Sequence, residues 1–401
     1  MTIGVGTFAV NEKMRALVNE VLDTGRITYG PLSQEFERRF AEMHRARFAV
    51  LSNSGTSSLQ VALQTLKEIH HWRDGDEVIV PAITFVATVN VVLHNGLKPV
   101  LVDIDPETYT LDPRWLKAAL TGRTRAIMPV HVFGQPCEMD KIFAFAREHR
   151  LKVIEDSCEC LGVKHHGQSV GAWGDIGCFS TYAAHLLTTG VGGIAITHDG
   201  EYARVMRSLV NHGRDGIYIS IDDDDQPTRE IIEKRFRFER VGHSFRITEL
   251  EAALGLGQLD DLPDIIRQRR RNAETLTRSL TPYADELQLP RVRDGGEHAW
   301  MMYPLVLRRE PKGALCAWLE ENGIETREML PLTNQPCYRG LFREADTPVA
   351  AWINRSGFYV GCHQALTESD LEYVAGKIGE YFDRYSHPAQ PRALAGVSVA
   401  G

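Results

Sequence analysis

The sequence predicts an α/β protein built on a mostly parallel sheet with helices on both faces, followed by a smaller mixed unit. Three observations carry this. Short apolar runs alternate with amphipathic stretches from about residue 48 to residue 200, the pattern of strands buried between two helical layers. A chain of 401 residues is too long for one compact core. After a long helical pattern opening at Thr248, residues 288–384 mix short strands with helices, as a second unit would. We therefore expect residues 1–260 to form an N-terminal segment and a large domain, 261–387 a small C-terminal domain, and 388–401 a disordered tail, whose composition offers no core.

The expected strands are 48–51, 77–80, 100–102, 126–133, 153–154, 178–179 and 193–197, with helical stretches 57–71, 113–120 and 139–149 between them. The pattern from Thr248 to Leu280 should break near Pro263, because proline removes a backbone donor and clashes with the preceding turn. Residues 216–230, with the run Asp222-Asp-Asp-Asp225, read as a solvated loop. No internal repeat is present.

Composition narrows the function. The chain is 43% hydrophobic and 24% charged, ordinary for a globular protein. A formal charge of -8 argues against a nucleic-acid footprint, which needs clustered Lys and Arg. No apolar run approaches the roughly 18 residues of a membrane span, and the N-terminus lacks the pattern of a signal peptide, so a cytoplasmic protein without a membrane partner is expected. Seven cysteines in such a chain do not suggest a disulfide framework. Cys158 and Cys160 lack zinc-knuckle spacing and read as small buried residues, and no metal site is expected.

Ligands of open α/β sheets gather at the carboxyl ends of strands, which makes the residues just past them the candidates. Ser54-Gly55-Thr56-Ser57 opens a helix directly after a strand, and the free N–H groups of a helix start suit a phosphate. Taken alone, Ser-Gly-Thr is also an ordinary helix cap. Phe85 follows the strand at 77–80, where a ring could stack on a flat ligand; a lone phenylalanine there is more often core. Asp156 closes the strand at 153–154, a place also taken by plain ion-pairing aspartates.

These residues do not stand alone. The segment Asp175-Ile-Gly-Cys-Phe-Ser-Thr-Tyr-Ala-Ala-His185-Leu-Leu-Thr-Thr-Gly-Val-Gly-Gly193 resembles the cofactor-lysine segment of the sugar aminotransferases of the DegT/DnrJ/StrS superfamily, in which lysine stands three residues before the Thr-Thr-Gly. Further matches are Gly30-Pro31, Pro129-Val-His-Val-Phe-Gly-Gln-Pro136, Asn211-His-Gly-Arg214 and Arg246-Ile-Thr-Glu-Leu-Glu-Ala-Ala253. The resemblance covers about residues 20–385. It implies an aspartate aminotransferase-like fold (fold type I) and a pyridoxal 5'-phosphate or pyridoxamine 5'-phosphate cofactor. In that reading Gly55, Thr56 and Ser57 hold the phosphate, Phe85 stacks on the ring, Asp156 keeps the ring nitrogen protonated, and Glu159 and Ser180 complete the cofactor contacts. A homodimer is also implied, with the turn Gly242 to Arg246 lent to the neighbouring subunit's phosphate site, and His212, Arg246 and His363 are candidate substrate contacts.

Here the lysine is replaced by His185, and no lysine occurs between Lys164 and Lys234 to serve as Schiff-base partner. In this the chain is similar to the GDP-4-keto-6-deoxymannose 3-dehydratase family, as it is in Asp156-Ser-Cys-Glu159, Phe236-Arg-Phe238 and Gly361-Cys-His-Gln364. The iron-sulfur 3-dehydratases share the histidine but add clustered cysteines. None lies between residues 179 and 315, so no cluster is expected. Two departures touch substrate details: Ser244 stands where the family usually has Asn, and Val191 where an acidic residue is common.

The dehydratase resemblance implies that glutamate converts the cofactor to its amine form, that a nucleotide-linked 4-keto-6-deoxy sugar condenses with it, and that His185 acts as acid and base in removing the C3 hydroxyl. Ammonia and a 3-deoxy-4-keto sugar leave. Two rivals remain: an aminotransferase in which His185 shuttles a proton, and a protein that binds a nucleotide sugar without turning it over.

Overall fold

The computed structural model describes residues 2–214, 229, 236–330 and 332–385. The tail at 388–401 and, apart from Arg229, the loop at 216–230 lie outside them.

Two helices precede the first strand: α1 (Glu12–Thr24) and α2 (Pro31–His44). The sheet strands are β1 (Phe48–Ser52), β2 (Glu77–Pro81), β3 (Lys98–Val102), β4 (Thr124–Ile127), β5 (Lys152–Asp156), and, after the short hairpin β6 (Lys164–His165) and β7 (Gln168–Ser169), β8 (Ile176–Ser180) and β9 (Gly193–Thr197). Between and after them run α3 (Gly55–Ile69), α4 (Val86–His94), α5 (Leu116–Ala119), α6 (Met139–Glu148) and α7 (Gly200–Val210). Seven strands pair in the order β1-β9-β8-β5-β4-β2-β3. β9 is antiparallel to both neighbours, and the other pairings are parallel. β1 therefore points the same way as β2, β5 and β8, and the carboxyl ends of all four open on one edge of the sheet. Helices bury apolar residues on both faces, as with Leu59, Leu63 and Leu66 of α3.

The strand expected at 126–133 stops at Ile127. Pro129 has no N–H for the ladder, and the chain makes only an isolated bridge from Val130 to Asp156 before a 3-10 turn at Val132–Gly134. The expected break near Pro263 is present. One helix, α8 (Glu249–Gln258), ends and another, α9 (Leu262–Leu280), begins with Pro263 in its first turn, where no intrahelical donor is needed.

The second unit is a four-stranded antiparallel sheet, β10 (Leu287–Gln288), β11 (Met302–Leu307), β13 (Gly357–Gly361) and β12 (Arg327–Glu328), in that spatial order. It carries α10 (Gly313–Glu321), α11 (Pro348–Ser356) and α12 (Glu368–Tyr385). The first residues, expected with the large domain, are pinned to this unit instead: the Ile3 N–H donates to the Gly323 carbonyl at 2.8 Å and the Glu325 N–H to the Ile3 carbonyl at 2.9 Å. Met301, Met302, Val306, Ala350 and Ile353 share one core with Phe36, Leu51, Phe179 and Leu256, so the small sheet leans over the carboxyl edge of the large one.

Candidate active site

A cavity of about 380 Å³ opens where the four carboxyl ends meet the small unit. At one end stands the N-terminus of α3. Ser54 caps it, its Oγ accepting from the Ser57 N–H at 3.0 Å. No acceptor among the described residues engages the Gly55 and Thr56 N–H groups, and these two with the helix dipole form an anion seat. Gly55 is required by close approach: a Cβ there would lie 2.8 Å from both Cys158 Sγ and Ser180 Cβ. Gly193 has a similar reason, since a Cβ would fall 2.2 Å from the Ser54 carbonyl oxygen. The glycine-rich exit of the His185 segment thus lets β9 pass under the helix start. Ser57 is turned away, 6% exposed, donating to Asn53 Oδ1 at 2.7 Å.

Asp156, the last residue of β5, forms part of the floor. Its Oδ2 lies 2.7 Å from Thr88 Oγ1, and its Oδ1 accepts from the Cys158 N–H at 3.2 Å. Burial raises its pKa against these hydrogen bonds. Phe85, the N-cap of α4, is 58% exposed at the mouth, so it is not core. Ser180 closes β8 on the opposite wall, accepting from the Tyr182 N–H at 3.3 Å. Glu159 accepts from the Phe133 N–H at 2.7 Å. Burial and then the nearby Asp156 push its carboxyl up to about 7, against that hydrogen bond.

His185 lines the same cavity. Its Nδ1 lies 2.5 Å from the Cys158 carbonyl oxygen, and a carbonyl can only accept, so Nδ1 carries the hydrogen and Nε2 the lone pair. Nε2 has no hydrogen-bond partner among the described residues. Burial pushes the imidazole down to about 4, opposed by the Cys158 carbonyl and aided by the buried Arg269 guanidinium. The side chain is a neutral base at physiological pH.

Behind Asp156 the motif at 129–136 is structural. His131 Nδ1 accepts from the Cys137 N–H at 3.0 Å, leaving Nε2–H to donate to Glu155 at 3.1 Å. Both side chains are wholly buried, and Glu155 also accepts from the N–H groups of Gly171, Trp173 and Gly174.

The cavity thus gathers Gly55, Thr56, Phe85, Asp156, Glu159, Ser180 and His185. It does not gather Ser244, His212 and Arg246. Those three cluster elsewhere, exposed, with Arg246 donating to Asn211 Oδ1 at 2.9 Å and Ser244 Oγ at 3.2 Å and lying 3.2 Å from His212 Nε2. Their turn still adjoins the anion seat through its backbone, since the Phe245 carbonyl accepts from the Asn53 N–H at 2.7 Å. His363 is buried in the small unit and does not line the cavity. Met301, Met302, Leu330 and Tyr359, which the sequence reading missed, form the roof. They come from a part of the chain that carries no strand-end signal of its own. Cys158, taken as packing, faces the cavity, whereas Cys160 is buried.

Anion seat, exposed ring and buried acid lie in one cavity in an aminotransferase-like fold, and such residues fit a pyridoxal phosphate, although no Lys or Arg among the described residues lines the cavity. The chain belongs to the DegT/DnrJ/EryC1/StrS aminotransferase family, whose model matches residues 9–379. Its similarities run to both kinds of enzyme in that family. It is 34% identical over 383 residues to a GDP-perosamine synthase of Caulobacter vibrioides, covering 94% of this chain and 98% of that one. It is 33% identical over 391 residues to a dTDP-4-dehydro-2,6-dideoxy-D-glucose 3-dehydratase of Saccharopolyspora spinosa, covering 92% and 84%. Its fold matches that of the E. coli GDP-4-keto-6-deoxy-D-mannose-3-dehydratase with bound hydrated PLP, with a TM-score of 0.85, 25% identity and coverage of 94% and 99%. The family is one of pyridoxal-phosphate-dependent sugar-modifying enzymes.

Proposed function

We propose that the protein is a 3-dehydratase that removes the C3 hydroxyl of a nucleotide-linked 4-keto-6-deoxy sugar, using glutamate to keep its cofactor in the pyridoxamine form. The observation that carries this is His185. At the cavity wall stands a neutral imidazole with an open Nε2, and no lysine lines the cavity among the described residues.

The cofactor supplies, when bound, an amine to condense with the C4 ketone and a ring to withdraw electrons. The chain's residues do the rest. The Gly55 and Thr56 N–H groups hold the phosphate. Phe85 covers the ring, and Asp156 keeps its nitrogen protonated. Without a lysine the cofactor is held by these contacts alone. His185 Nε2 takes a proton from the cofactor's reacting carbon, and as imidazolium it returns that proton to the departing C3 hydroxyl, which leaves as water. A lysine would instead protonate the sugar carbon and complete amination. Bound in its amine form, the cofactor would supply the two electrons that take C3 from CHOH to CH2, the amine nitrogen would leave as ammonia, and glutamate would restore the amine form. The apolar roof of Met301, Met302 and Leu330 suits a 6-deoxy sugar better than a hydroxymethyl one. We further propose a homodimer in which Ser244 and Arg246 reach the partner's phosphate site, supplying the cation that each cavity lacks.

The 34% identity to a GDP-perosamine synthase favours a second reading, an aminotransferase with His185 as proton shuttle. Incubation with 4-keto-6-deoxy nucleotide sugars, pyridoxal phosphate and glutamate, followed by mass spectrometry of the sugar, separates them. Loss of one oxygen supports dehydration. Replacement of the ketone by an amine would overturn it.

A further inference from the structure

Asp156 is not held by its own strand alone. Thr88 Oγ1 lies 2.7 Å from Asp156 Oδ2 and 2.7 Å from Thr84 Oγ1, and Thr84 Oγ1 lies 3.4 Å from the Phe85 carbonyl oxygen. Both threonines are buried, Thr88 at 0% and Thr84 at 1% exposure, and Thr84 lines the cavity. Each hydroxyl has one hydrogen to give and can also accept. An ionised carboxylate can only accept, so Thr88 must then donate to Asp156 and Thr84 to Thr88. A protonated Oδ2 reverses every bond: Asp156 donates to Thr88, Thr88 to Thr84, and Thr84 to the Phe85 carbonyl.

We propose that Thr84 and Thr88 are positioning residues forming a two-way hydrogen-bond relay, which satisfies Asp156 as a neutral acid in the empty cavity and as a carboxylate against a cationic ring nitrogen. On ligand binding the carboxyl proton passes to the ring nitrogen and the two hydroxyl hydrogens rotate. Nothing else moves, and no buried polar group is left unpaired in either state. The reversal takes one of two donors from the Phe85 carbonyl, which keeps the Thr88 backbone N–H at 3.2 Å. Burial favouring neutral Asp156 in the empty protein agrees with this. The other titratable groups around Asp156 are Glu159, itself pushed up, the buried thiols of Cys158 and Cys178, and the buried His131, which is pushed up to about 10 and whose charge, when it is protonated, opposes burial by favouring the carboxylate. Among the described residues, no cation bonds the carboxylate to compete with the relay.

This rests on the cofactor reading above, and the test separates the two. Infrared spectra of the cofactor-free protein at neutral pH should show a protonated-carboxyl band that is absent from Asp156→Asn and disappears on adding pyridoxal phosphate. With ¹⁵N-labelled pyridoxal phosphate the parent should show a protonated ring nitrogen. Thr88→Val should move that resonance towards the unprotonated position and weaken binding about 10- to 100-fold, the loss expected for a hydrogen bond to a charged group. Thr88→Ser should restore both, and Thr84→Val should shift the infrared band of the empty protein while changing affinity far less. A parent that does not bind pyridoxal phosphate sinks the cofactor reading and the relay with it. A parent that binds, beside a Thr88→Val protein with the same affinity and ring protonation, overturns the relay alone. If Thr88→Val does not fold, an unshifted infrared band in Thr84→Val overturns it.

Discussion

The His185 imidazole is tied at one nitrogen and open at the other, and both facts have consequences. Because the Cys158 carbonyl fixes Nδ1–H, Nε2 is a ready base, and burial keeps it unprotonated down to about pH 4. A base whose folded pKa is lowered is available above that value and is lost as pH falls through it. Titration of the free protein by NMR should therefore find His185 well below the ordinary 6.5 of histidine; a midpoint at or above that figure would contradict the tautomer and burial described. The same shift leaves stability unchanged above about pH 6.5 and lowers it as pH falls from there towards 4, where only the unfolded chain takes up the proton. Replacing His185 with Asn should cost roughly 100- to 10,000-fold in turnover, the usual worth of acid–base catalysis, while cofactor binding changes little. An Asn variant near the parent rate would make His185 structural.

Single residues differ in how far the sequence revealed them. Asp156, Phe85 and Gly55 were legible because each sits at or just past a strand end, and His185 because it takes the place of the lysine in a segment that resembles the sugar aminotransferases. Thr88 was not, since its part depends on a strand distant in sequence, and Tyr359 and Met301 were not, since they reach the cavity only through the packing of a second unit. Ser57 follows the cap rather than the ligand because the third residue of a helix points back along its own turn.

Among the elements, the motif at 246–253 shows how a conspicuous sequence signature can be architectural. Thr248 caps α8 and pairs with Glu251 in a capping box. Glu249, 2% exposed, crosses to α2, where it accepts from the N–H groups of Gly30, Leu32 and Ser33, each at 2.8 Å, and from the Ser33 hydroxyl. A buried carboxylate thus caps the Gly30-Pro31 helix start from more than 200 residues away. Glu249→Ala leaves those donors unsatisfied and should cost about 3 kcal/mol, read as a lower urea midpoint with unchanged slope. A loss within experimental error would mean that water replaces the carboxylate freely. The sequence showed the motif and the alternating strands. It did not show α1 and α2 as elements, because the charge that holds α2 is supplied from elsewhere.

For the whole molecule, alternation of apolar runs was enough to forecast the parallel sheet and the edge where the site lies, since buried strands leave a continuous apolar trace. It was silent on the attachment of residues 3–5 to the small unit, which involves one bridge. Ser244 and Arg246 are exposed beside an anion seat without a cation, and Phe236 and Val241 nearby are 73% and 89% exposed. In the proposed dimer a second copy would cover this face, so sedimentation should find a dimer, and Arg246→Ala should weaken pyridoxal phosphate binding. A monomer with full activity at assay concentration would contradict the shared site.

The reading of the protein as a dehydratase rather than an aminotransferase is tested most directly by the fate of nitrogen. With ¹⁵N-labelled glutamate, a 4-keto-6-deoxy nucleotide sugar and cofactor, the label should appear as free ammonia in step with a 3-deoxy sugar that contains none of it. Label retained in the sugar would contradict the assignment of His185 to dehydration.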